Sequence, residues 1–169
     1  MISTFFELMI NFLNKKFILT LIIFVGLILR FYSINFDDYW YDEIIGFWVA
    51  SPEHSFSKSF EIHNRIELNT YTYHFFLKIF YNLFGYEVWT GRYFSLFFST
   101  LTLLIVPFFF NKRLGNESLL LIFLLSLNIY LISYAQEARV YSILVFTLIC
   151  FFLFLKKALE KKANNFDYL

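Results

Sequence analysis

Much of the usual equipment of a soluble enzyme is missing from this chain. Its one cysteine, Cys150, has no partner and says nothing of redox compartment. No glycine-rich phosphate loop, internal repeat or basic patch is present, and a net charge of +1 gives no reason to expect a nucleic-acid partner. The three histidines, His54, His63 and His74, do not fall at a ligand spacing; His63 and Glu67 stand four apart, a weak pattern, so they are read as non-metal residues. Charge itself is scarce, at 16% of 169 residues. The first apolar run lacks a small-residue cleavage site and continues through Arg30 into Phe31 and Tyr32, so the expectation is an uncleaved first span.

What is present in excess is apolar surface: 59% of the chain is hydrophobic and 24% aromatic. Apolar runs cover residues 17–34, 71–84, 93–110, 118–133 and 140–155. A membrane-crossing helix needs about 20 such residues, with roughly 17 to 25 as the range. Run 71–84 is the shortest and is interrupted by His74, Lys78 and Asn82, which suits an interfacial helix. Basic residues near span ends are retained on the cytoplasmic side. The clusters Lys15–Lys16, Lys112–Arg113, and Lys156–Lys157 with Lys161–Lys162 all fall inside only if 71–84 does not cross. The expectation is therefore an all-α polytopic membrane protein with four transmembrane helices, about 17–34, 93–110, 118–135 and 140–157, and interfacial helices at about 39–50 and 71–84. Its residues 1–169 would form a single membrane domain with both termini cytoplasmic. The segment 51–69 is polar, has no clear period, and is expected to be loop.

On this topology residues 35–91 form a long extracytoplasmic loop and 134–139 a short one facing the same compartment. Four of the five arginines, Arg30, Arg65, Arg92 and Arg139, lie outside, whereas only Lys58 and Lys78 of the lysines do. Guanidinium matches phosphate bidentately and ammonium does not, so an anionic headgroup fits the outer set. Trp40, Ile44, Phe47 and Trp48 recur at helical spacings beside Asp42 and Glu43, and would hold Asp42 near the headgroup level. The seam Tyr134-Ala-Gln-Glu-Ala-Arg-Val-Tyr-Ser142 places Glu137 and Arg139 between two apolar runs, where ionisable residues are costly and functional by default.

If the anion is the leaving phosphate of a group transfer, the reaction needs a base for the acceptor and a cation for that phosphate. Asp42 could be that base, and Arg139 with Arg92 could hold the phosphate. Glu137 could orient Arg139 or, with Asp42 or Glu43, ligate a divalent cation through oxygens. Plainer roles stand beside these: Asp42 and Glu43 as solvated loop acids, Arg139 snorkelling to headgroups, Arg30 and Arg92 as structural anchors. A transporter element would need ionisable groups near the midplane of its spans, which these runs hardly supply.

Aromatic-Asp-Glu after the first span, a second interfacial helix ending in Phe84-Gly85, Arg92 opening the next span, and Tyr-Ala-Gln-Glu-Ala-Arg-Val-Tyr at a later outer boundary resemble the multi-span glycosyltransferases of the GT-C fold. The similarity is to the protein mannosyltransferase and aminoarabinose transferase type and runs from about Arg30 to Leu155. The resemblance implies sugar transfer from a polyprenyl-phosphate carrier to a lipid, glycan or protein acceptor on the outer face of the inner (plasma) membrane. Carried over by position, Asp42 matches the catalytic acid, Glu43 its usual neighbour, and Gln136, Glu137, Arg139 and Tyr141 a second outer motif. The sugar, the acceptor and any divalent cation stay open. Members of that family are several-fold longer, so the expectation is the front third of such an enzyme, inactive alone; the alternative is a non-catalytic membrane partner or scaffold of a glycosyltransferase.

Overall fold

The computed structural model describes residues 2–66, 70–110 and 116–166, which form eight α-helices. They are α1 (Ile2–Phe31), α2 (Tyr41–Val49), α3 (Phe56–Ile66), α4 (Thr72–Phe84), α5 (Val88–Phe110), α6 (Asn116–Leu127), α7 (Ile129–Gln136) and α8 (Tyr141–Phe166). The basic pair Lys112–Arg113, residue Glu67, and the side chains of 1–13, Lys161 and Lys162 lie outside the described set.

The protein is all-α. Among the described residues one stretch, Tyr141–Leu159 of α8, is by itself long and apolar enough to cross a membrane. A second such length exists if α6 and α7 are counted together. The expected single helix over 118–135 is instead broken at Asn128 and bent by 54°. Asn128 has extended backbone and its side-chain oxygen accepts the Leu131 N–H at 3.1 Å, so it caps α7 and ends α6 in the same place.

A broken helix strands carbonyls that water would otherwise satisfy. Arg30 of α1, only 1% exposed, reaches them: Nη1 donates to the Ser126 carbonyl at 2.9 Å and Nη2 to Leu125 at 2.7 Å. Its Nε donates to Ser99 Oγ of α5 at 2.8 Å, and Nη1 also to the Gly26 carbonyl at 2.9 Å. Arg30 thereby ties α1, α5 and α6 together. The close approach depends on Gly26, where an added Cβ would lie 2.8 Å from Ser126 Cβ.

Around this crossing Leu19, Leu103, Val106, Ile122, Leu125 and Leu153 form one buried apolar cluster. Helix α5 is the central element, packed on α8, α7, α4 and α6, while α1 lies against α6 and α7. A second cluster, Ala50, Tyr73, Leu77, Tyr81 and Phe94, joins α4 to α5 and the end of α2. The expected helices at 39–50 and 71–84 correspond to α2 and α4.

The expectation of a loop over 51–69 is corrected by α3. Ser55 Oγ accepts the Lys58 N–H at 3.1 Å, an N-terminal cap, and Glu61 pairs with Lys58 and Arg65 at i−3 and i+4. Ser59, Ile62 and His63 are its buried face, and Ser59 Oγ donates to the Val49 carbonyl at 2.5 Å. The polar composition hid a short amphipathic helix whose inward side is mostly hydroxyl and imidazole.

Candidate functional site

Helix α2 turns an acid inward and aromatics outward. Glu43, Gly46 and Val49 are its buried side, while Trp40, Tyr41, Ile44 and Trp48 are exposed. Glu43 is at the third helical position, where its Oε2 accepts the Trp40 backbone N–H at 3.1 Å, half of a capping box. Having no exposed surface, the carboxylate must be satisfied within the protein. It is: Oε2 accepts Arg92 Nη2 at 2.9 Å, and Oε1 accepts Arg92 Nε at 3.1 Å and the Ala138 N–H at 2.6 Å.

Arg92, in the first turns of α5, is equally committed. Its Nη1 donates to the carbonyls of Ile34 and Asp37 at 3.0 and 2.7 Å, and Nη2 also to Asp38 at 3.1 Å. With the two bonds to Glu43, all five guanidinium N–H donors are spent. Its guanidinium lies 4.9 Å from the centre of the Tyr39 ring. The Glu43–Arg92 pair thus joins the end of α1, the start of α2, α5 and the α7–α8 turn.

That junction brings Asp42 to Arg139, 97 residues later in the chain, where Arg139 Nη1 donates to Asp42 Oδ2. This pair is open to solvent, with side-chain exposures of 30% for Arg139 and 53% for Asp42. Arg139 also lies over the Tyr141 ring, 5.3 Å from its centroid, and Tyr141 stacks on Tyr134 at 4.3 Å. Partial burial works against the Arg139 charge, but Tyr141, Asp42 and Glu137 outweigh it and raise its pKa.

Gln136 and Glu137 face elsewhere. Gln136 Nε2 donates to the carbonyls of Leu29, Arg30 and Tyr32 at 3.1, 3.3 and 2.7 Å, closing the open C-terminal end of α1. The Glu137 carboxylate accepts from Ser133 Oγ at 2.8 Å and acts on the Arg139 guanidinium through charge, while the Glu137 carbonyl accepts the Arg139 backbone N–H at 2.8 Å. Both line a cleft of about 140 Å³ together with Ser33, Ile34, Asp37, Trp40, Arg92 and Ser133. Asp42, Arg139 and Tyr141 are outside that lining. Among the described residues no group of three or more His, Cys, Asp or Glu converges as metal ligands.

Behind the junction lies a polar layer that the sequence reading passed over. Gly91 of α5 leaves room for two phenols, since an added Cβ would meet Tyr81 Oη at 2.5 Å and Tyr39 Oη at 3.2 Å. Burial, then the Glu43 charge, raises the Tyr39 pKa. His74, 3% exposed, is pushed down to about 4 by burial and then by neighbouring His63. Lys78 donates to the Ser51 carbonyl, where it satisfies the chain leaving α2, and burial lowers its pKa. Helical spacing places Tyr73, His74, Leu77, Lys78 and Tyr81 on one face of α4, and that repeat was the available signal.

No family model, curated protein or solved structure matches this chain.

Proposed function

We propose that this chain is the membrane region of a glycosyltransferase that takes a sugar from a polyprenyl-phosphate carrier at an extracytoplasmic face. One observation carries the reading: an acid and a cation from two distant segments, Asp42 and Arg139, meet in a half-open position that a buried ion pair beneath them fixes. In this role Arg139 receives the phosphate and Asp42 deprotonates the acceptor. Glu43 and Arg92 position both without touching the reactants, because neither has a free donor or acceptor direction toward solvent. Tyr141 braces the guanidinium plane from below.

Membrane residence is supported by the run of α8 and by large apolar side chains left exposed on several helices. Phe17 and Phe24 of α1, Phe97 of α5, Phe123 of α6, and Phe151 and Phe154 of α8 are among them. Soluble monomers rarely leave contiguous apolar patches above a few hundred Å². Four spans, a cytoplasmic location for both termini and an outward-facing Asp42–Arg139 pair are parts of the same proposal. Exposed Trp40, Tyr41 and Trp48 on α2 suit the headgroup level of a bilayer.

The test is binding of undecaprenyl phosphate to the chain in lipid nanodiscs, read by native mass spectrometry with phosphatidylglycerol as the competing anion. The wild type is expected to retain the polyprenyl phosphate, and Arg139→Lys, which keeps charge but loses the planar fork, to weaken it about ten-fold. Equal retention by the two proteins would return Arg139 to a headgroup anchor and remove the phosphate site.

A further inference from the structure

The two ion pairs differ in what could replace them. Glu43 holds Arg92 with both oxygens in a sealed position. Asp42 touches Arg139 through one nitrogen only, and about half of the Asp42 side chain is in solvent. The second Arg139 nitrogen reaches only the Tyr141 hydroxyl, at 3.5 Å, a long contact. Among the described residues no other cation pairs with Asp42. Arg139 is therefore held in place by its turn and by Tyr141, while its anionic partner meets it through a single contact at a half-exposed position.

We propose that the Asp42–Arg139 pair is the resting form of an anion site, in which a phosphate mono- or diester displaces the Asp42 carboxylate from the guanidinium. The inference rests on the reading of Arg139 as the phosphate-binding residue and adds an order of events. Until the phosphate arrives, Asp42 is tied up as the counterion of Arg139. Once phosphate occupies Arg139, the Asp42 carboxylate is released with its lone pairs free, beside the ligand whose arrival released it. Base and carrier are thereby coupled through one guanidinium, and by linkage whatever strengthens the Asp42 contact must weaken the carrier.

A thermodynamic cycle tests this with the whole 169-residue chain in nanodiscs and undecaprenyl phosphate as the probe. Asp42→Asn removes the competitor and should tighten phosphate binding about two- to five-fold, the range set by an exposed ion pair. The same substitution in an Arg139→Gln background should have almost no effect, because there is nothing left to compete for. Glu137→Gln, which removes a nearby charge that makes no bond to Arg139, should tighten binding less than Asp42→Asn does. If Asp42→Asn gives the same gain with and without Arg139, simple repulsion of the anion accounts for it and the exchange is overturned. Binding by the wild type with no gain in Asp42→Asn also overturns the exchange, but leaves the phosphate site standing. Failure of every variant and the wild type to bind the probe overturns both.

Discussion

Two neighbouring acids on one helix, Asp42 and Glu43, each meet an arginine, and the pairs they form have opposite character. Glu43–Arg92 is bidentate, sealed from solvent, and extended by an amide and three carbonyls. Asp42–Arg139 is a single contact at a half-exposed surface. Consecutive helix positions point about 100° apart, so one residue step separates the protein's interior from its working face. The lesson is that a charged pair spends its guanidinium either on the fold or on a ligand. The number of donors left over says which.

The sharpest way to break this contrast is Glu43→Gln. The amide fits the space but leaves Arg92 buried without its counter-charge, at an expected cost of about 3 to 5 kcal/mol. Thermal unfolding in detergent should show that loss as a large drop in midpoint. A shift no larger than that of a surface substitution would mean the pair is not the clasp described here.

Smaller, and dependent on pH, is the effect of His74 in the layer behind the pair. Its ordinary value of 6.5 falls to about 4 in the folded protein. Above pH 6.5 the side chain is neutral folded or unfolded, and its burial costs nothing extra. Between 6.5 and 4 the unfolded chain takes up a proton that the folded one refuses, so stability declines as pH falls. The loss is complete below pH 4, at about 3 kcal/mol. His74→Gln should flatten the decline in unfolding midpoint between pH 7 and 5; an unchanged slope would assign that decline to other groups.

Smaller again is Gln136→Ala, which strips the C-terminal carbonyls of α1 of their side-chain donor. An expected loss of about 1 to 2 kcal/mol distinguishes a helix cap from a substrate ligand. A variant of unaltered stability with impaired polyprenyl-phosphate binding would favour the ligand role that the GT-C resemblance implies.

The helical character was legible because apolar runs of this length have few alternatives; α2 was legible from its aromatic spacing, and α4 as a short apolar run interrupted by His74, Lys78 and Asn82. Helix α3 was not, because its inward face is Ser59 and His63 as well as Ile62, and hydrophobic periodicity is blind to a face built of polar groups. The break at Asn128 was hidden for the converse reason. A single polar residue in an apolar run reads as an interruption of hydropathy, and its capping geometry becomes evident only with Arg30 reaching the freed carbonyls.

For the candidate site, the sequence supplied the residue types but not their division of labour. Asp42, Glu43, Arg92 and Arg139 could be named from their rarity beside apolar runs. Which acid meets which arginine depends on the phase of α2 against α5, a tertiary quantity. Gln136 and Glu137 stood in the same motif as Arg139, yet the end of α7 turns them toward α1 and the cleft.

The most direct measurement sets the two acids side by side. Glu43→Gln and Asp42→Asn, each a one-atom change from carboxylate to amide, are compared for unfolding midpoint and for affinity toward undecaprenyl phosphate in the same nanodiscs. The expected pattern is crossed: Glu43→Gln loses the fold, whereas Asp42→Asn keeps it within about 1 kcal/mol and binds the phosphate more tightly. Equal destabilisation by both, or an Asp42→Asn protein with wild-type affinity for the carrier, would contradict it.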